Sequence, residues 1–130
     1  MAVFALAPAY LGLQEALSCR GLWEQESNVV VVTPGKAKPG IRFSMGSRVV
    51  VHRIDPRYFF GFDYVPYGEF SVPVSDVEKT LVDLIYFAES PGAEVVRELI
   101  ERCDEKVLRM YLSRYPTTFV SRFNKESGMS

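Results

Sequence analysis

The spacing of apolar residues in this chain changes at Ser75, and that change constrains the fold more than any other feature. Before it, β-branched and aromatic runs alternate with turn formers: "NVVVVT" (28–33), "IRF" (41–43), "RVVVHRI" (48–54), "YFFGFDYV" (58–65) and "EFSVPV" (69–74). These read as short strands. From Ser75 onward Val77, Leu81, Leu84, Ile85 and Ala88 repeat at helical spacing, and residues 93–102 and 104–114 carry two further helical patterns before Pro116. Residues 9–20 predict one N-terminal helix, with Tyr10, Leu13, Ala16 and Leu17 on its inner face and Arg20–Gly21 as its stop. Strands and helices grouped in this way imply an α+β fold, a small antiparallel or mixed sheet of four to six strands with one N-terminal helix and two or three C-terminal helices.

Within that plan, residues 28–33 are expected to be a strand buried on both faces and "PGKAKPG" (34–40) an exposed loop. Segments 41–43 and 48–54 flank "SMGS" as a hairpin. The aromatic segments, broken by Gly61, Pro66, Gly68 and Pro73, suit two strands near a sheet edge. Residues 117–130 are expected to fray.

A chain of 130 residues is the length of one domain, and its net charge of −1 provides no overall field toward nucleic acid or an anionic membrane. Any anion site must be local. The apolar N-terminus lacks a basic n-region and runs into Gln14 and Glu15, unlike a secretory signal. No apolar run approaches the roughly 20 residues that cross a bilayer. Cys19 and Cys103 have neither zinc-knuckle spacing nor the density of a disulfide scaffold, so reduced thiols in a soluble, cytoplasmic protein are expected.

The stretch "VSDVEKTLVDLIYF" (74–87) concentrates polar groups at a helix start. Ser75 and Glu78 have capping-box spacing, Asp76 suits the first turn, and Lys79 and Asp83 are placed to pair at i,i+4 opposite the apolar stripe. A metal-dependent nuclease using Asp76, Glu78 and Lys79 or Asp83 is the competing and weaker reading, because each residue already has a role in starting the helix.

The same stretch, extended to "VPVSDVEKTLVDLIYF", resembles the signature of the AbiEi-like antitoxins, transcriptional regulators of phage-defence (abortive infection) systems. "YLGLQEALSCRGLWEQ" is similar to that family's opening helix through Ala16, Leu17, Gly21 and Leu22. "VVVVTPGKAKPGIRF" resembles its strand and basic loop, and "VHRIDPRYFFGFDYV" its R-I and F-F-G segments. The ordered set covers residues 9–88 and makes Ser75, Glu78, Lys79 and Asp83 the structural family motif. Nothing like the family's N-terminal winged helix precedes residue 9, so the resemblance implies the C-terminal antitoxin domain rather than the DNA reader. It further implies a non-enzymatic domain that counteracts a nucleotidyltransferase-like toxin without needing a stable complex, and that assists transcriptional autoregulation.

The remaining candidates come from the residues themselves. Between residues 34 and 57, Lys36, Lys38, Arg42, Arg48, Arg53 and Arg57 face a single acid, Asp55. If they share one surface they make a partner-binding or nucleic-acid-binding patch; otherwise they are a solvated face. Tyr58, Phe59, Phe60, Phe62, Tyr64 and Tyr67 read as core and apolar edge before they read as a base-stacking platform, and a homodimer contact through that edge stays open. His52, the sole histidine, reads as a strand residue, and "DEK" (104–106) as a chance match to a nuclease pattern. No catalytic group, metal site or cofactor motif is expected.

Overall fold

A computed structural model describes residues 6–21, 29–44, 47–89 and 91–128 of the chain, with the side chains of Arg42, Ser44, Ser47 and Tyr67 left outside the description. Six strands form one mixed sheet: β1 (Tyr10–Leu11), β2 (Val29–Thr33), β3 (Gly40–Ser44), β4 (Ser47–Arg53), β5 (Phe62–Tyr67) and β6 (Phe70–Ser75), in the spatial order β3-β4-β2-β1-β6-β5. The β3–β4 and β5–β6 hairpins are antiparallel, β2 runs parallel to β4 and antiparallel to β1, and β1 runs parallel to β6. The helices are α1 (Leu13–Cys19), α2 (Val77–Tyr86), α3 (Ala93–Arg102), α4 (Glu105–Leu112) and α5 (Thr117–Ser127). The α+β class, the β3–β4 hairpin, two aromatic-rich strands at a sheet edge and the helical C-terminal half agree with the sequence reading.

The β-branched run of β2 is explained by its place between β4 and β1. Val30 and Val32 face the helices, and Val31 faces a second apolar cluster with Leu11, Val49, Val51, Val72 and Val74. On the helix-bearing side, Tyr10, Ile54 and Tyr58 pack with Leu81, Leu84 and Ile85 of α2, Leu99 of α3, Leu108 of α4 and Phe123 of α5. Among the described residues no helix is long and apolar enough to cross a membrane.

The structure corrects the expected helix over 9–20. Tyr10 and Leu11 form β1, opposite Val32 and Val31, and the helix starts only at Leu13. Tyr10, Leu13 and Leu17 do share one core, but a strand turning into a helix brings them there, a geometry that helical spacing over so few residues cannot distinguish. The turn needs Gly12, where a Cβ would lie 2.8 Å from Val32 Cγ2. The Arg20–Gly21 stop is present. The Arg20 guanidinium also reaches the end of β6, donating to the carbonyls of Ser75 (2.8 Å) and Val74 (3.2 Å) and to the Asp63 carboxylate (2.7 Å).

Residues 117–127 are a helix rather than the expected frayed tail. Phe119 and Phe123, four apart, are buried in the main core, and the Arg122 guanidinium donates to the carbonyl of Ile85 in α2. Two rings at i,i+4 were enough to anchor the segment despite its polar remainder. Phe123→Ala should therefore lower unfolding free energy by about 3–5 kcal/mol in urea titration, whereas a frayed tail would show no measurable loss.

Candidate functional site

The polar motif at the start of α2 is built differently from the expected capping box. Asp76, not Ser75, is the N-cap: its Oδ1 accepts from the Lys79 amide at 2.7 Å and its Oδ2 accepts from the Tyr111 hydroxyl. Ser75 instead belongs to β6, where its hydroxyl meets that of Thr80 at 2.6 Å. The Glu78 carboxylate does not return to the helix start but accepts from the Asp104 amide at 2.9 Å, just ahead of α4. One residue of register separates the two arrangements. Aspartate caps as well as serine, so the choice rests on where β6 ends.

Lys79 and Asp83 pair as their i,i+4 spacing predicts, but the face opposite the apolar stripe on which they lie is buried. Both side chains are 0% exposed, with Lys79 Nζ donating to Asp83 Oδ1 at 2.6 Å. Lys79 Nζ also donates to the Tyr115 hydroxyl at 3.0 Å, and the Tyr10 hydroxyl donates to Asp83 Oδ2. The ammonium lies 4.8 Å from the Phe60 ring centre and within 6.0 Å of those of Tyr10 and Tyr115. Gly61 closes the cage: its φ is +77°, and a Cβ there would come within 2.8 Å of Lys79 Cβ. Among the described residues no buried side-chain nitrogen or oxygen lacks a hydrogen-bond partner.

Burial dominates the electrostatics. It pushes the Asp83 carboxyl up and the Lys79 ammonium down from their ordinary values, with their mutual attraction only partly opposing it. The Tyr10 phenol is raised well above its usual value, by burial first and then by the Asp83 carboxylate. A lysine beside a carboxylate is a familiar acid–base pair, but chemistry requires contact with a substrate, and this pair is enclosed by rings and backbone. It is a joint between β1, the approach to β5, α2 and the segment between α4 and α5.

Sequence reasoning placed the pair by its helical angle, 180° from the apolar stripe. The missed signal is that Val82 and Tyr86 occupy the same side of α2, which is covered by β1, the approach to β5 and the segment between α4 and α5. Tyr10, Phe60, Gly61, Tyr111 and Tyr115 carried no sequence signal for their roles at the motif, since each reaches it only through the tertiary fold.

The structure does not gather the six basic candidates onto one surface. Positions 48 and 53 are on opposite faces of β4: Val50, with the parity of Arg48, packs on the helix side, whereas Val49 and Val51, with that of Arg53, belong to the other cluster. Both arginines are exposed, as are Lys36 and Lys38 in the preceding loop. Arg42 is in β3 opposite Val49, its side chain outside the description. Arg57 grips Asp55 through two hydrogen bonds, 3.1 and 2.9 Å, which hold the Asp55 carboxyl below its usual value.

The rings do not form an open stacking platform. Tyr58 is buried and stacks on Tyr115 at 4.2 Å, Phe59, Phe60 and Phe62 pack against the core, and Tyr64 is exposed. Tyr67's side chain lies outside the description. His52 is half-buried with its ring 4.6 Å from that of Phe87, and burial lowers its pKa. Asp104 caps α4 by accepting from the Lys106 amide, so "DEK" is a helix start. Burial raises Cys19 to about 11 and Cys103 to about 12, leaving both as thiols at neutral pH. Among the described residues no three His, Cys, Asp or Glu side chains converge on a metal position.

Comparison with known proteins finds no family model that matches this chain and no curated protein that matches it.

Lys79→Met should cost about 3–5 kcal/mol at pH 7 by leaving Asp83 buried and unpaired, and the double variant Lys79→Met/Asp83→Leu should recover most of it. In Lys79→Met the folded-state pKa of Asp83 rises further above its unfolded value of about 3.9. The folded state then binds the proton more tightly, so the deficit relative to wild type should shrink as pH falls through the folded pKa. Chemical denaturation at pH 7 and pH 5 reads both effects; a pH-independent deficit would contradict the assignment. Gly61→Ala should lose about 1–3 kcal/mol in the same assay, from the Lys79 overlap.

Proposed function

We propose that this chain is a cytoplasmic, non-enzymatic antitoxin-type domain of the AbiEi-like kind, counteracting a nucleotidyltransferase-like toxin and assisting transcriptional autoregulation. The observation supporting this reading is convergence. The segments that carry the resemblance, "YLGLQEAL", "RYFFGF" and "VEKTLVD", are scattered in sequence, yet through Tyr10, Phe60, Gly61, Lys79 and Asp83 they meet in one buried cluster. The inward direction of the motif also suits a domain that acts by binding rather than by chemistry. A nucleic-acid-binding module working through Lys36–Arg57 has less support, because Arg48 and Arg53 face opposite ways and Arg57 is engaged by Asp55.

Growth rescue tests the proposal. Co-expression of residues 1–130 with a nucleotidyltransferase-like toxin encoded beside the gene should restore growth, and Lys79→Met should weaken rescue in step with its loss of folded protein. Continued arrest, with both proteins soluble and expressed, would overturn the antitoxin reading.

A further inference from the structure

The two edges of the sheet are finished differently. At the β5 edge, Pro66 removes an amide donor, a device that discourages strand pairing. At the other edge, β3 is Gly-Ile-Arg-Phe-Ser, with no proline, and among the described strands it pairs with β4 alone. Among the described residues no strand pairs with its outer backbone groups. Ile41 and Phe43, two residues apart on one face, are 56% and 81% exposed. Their β4 partners across the ladder are Val50 and Arg48.

Charge selects the occupant. Arg42 of β3 and exposed Arg53 of β4 occupy positions on the face opposite Ile41 and Phe43, and exposed Lys36 lies in the loop leading into β3. The one acid between residues 34 and 57, Asp55, is held by Arg57. A second copy of this chain would bring two such basic edges together, and like charges facing across a ladder are destabilising. Nucleic acid would leave the Ile41–Phe43 pair unused. We infer that the outer edge of β3 is a docking strand for an extended segment of a partner protein in which acidic and apolar residues alternate. Backbone pairing would extend the sheet, the apolar residues would cover Ile41 and Phe43, and the acids would meet the basic margin. None of the buried cluster takes part, so this inference is independent of the antitoxin reading.

The probe is a fluorescein-labelled Glu-Val-Glu-Val-Glu-Val-Glu peptide titrated with residues 1–130 and followed by anisotropy. Saturable binding is expected, weakened at least tenfold by N-methylation of all the peptide's backbone amides, by lysine in place of its glutamates, or by Phe43→Glu in the protein. Because Phe43 is so exposed, its variant should keep the wild-type melting temperature, and Ile41→Glu provides a second variant should it not. No saturable binding to folded protein, or equal binding of the N-methylated peptide, would overturn the proposal. So would a concentration-dependent dimer abolished by Phe43→Glu, which makes a second copy the occupant, or displacement of the peptide by a single-stranded oligonucleotide at equal concentration, which makes the edge a phosphate site.

Discussion

The ion pair between Lys79 and Asp83 fixes more of this structure than any other contact. Two charges removed from water are weak evidence of stability, since desolvation can exceed their attraction. Once they are inside, however, every group around them is constrained. The spare proton of the ammonium needs Tyr115, the second carboxylate oxygen needs Tyr10, and the lysine stem needs a residue at position 61 with no Cβ. An apolar stripe alone would let α2 rotate or slide by a turn with modest loss. Two directional hydrogen-bond partners and one close backbone approach, all from distant parts of the chain, hold it in place.

That placement explains why the polar residues ahead of the pair take the roles they do. With α2 covered on several sides, its first turn is an intersection of elements rather than a free helix end. Asp76 caps the helix and receives Tyr111 from α4, while its own amide donates to the carbonyl of Gly61 at 2.8 Å. Glu78, released from capping by that choice, satisfies an amide at the entrance to α4. Thr80 turns back to Asp76 O at 2.7 Å and to Ser75. The motif links β6, α2 and α4 through hydrogen bonds that a capping box would have closed on itself.

Elements defined by local chemistry were legible in the sequence, and those defined by what covers them were not. The valines of β2, the hairpin chemistry around β3–β4, and Gly21 at the end of α1 each carry a local cause. The burial of Lys79 and Asp83 was not legible because a helical wheel reports the face opposite the apolar stripe, not that β1, the approach to β5 and the segment after α4 lie against it. Tyr10 failed similarly, since strand and helix spacing coincide over the residues that precede Gly12. Residues 117–127 looked polar because six of eleven positions are exposed, yet two phenylalanines one turn apart hold them against the core.

This division bears on where function can reside. A motif of serine, acids and lysine ordinarily directs attention to the start of α2, but here its hydrogen-bonding capacity is consumed internally. Recognition must then use what the fold leaves outside, and its two sheet edges are unequal. The β5 edge carries a proline, and the β3 edge, paired among the described strands with β4 alone, carries two exposed apolar side chains and a basic margin. Strand addition requires both an open edge and a rigid sheet behind it, so that pairing does not have to order the host as well. Here the second requirement is met through β4 and β2, whose parallel pairing runs unbroken from Val29–Val49 to Thr33–Arg53. The interior polar joint and the exposed edge are thus complementary: the first holds the helices against the sheet, and the sheet supports the second.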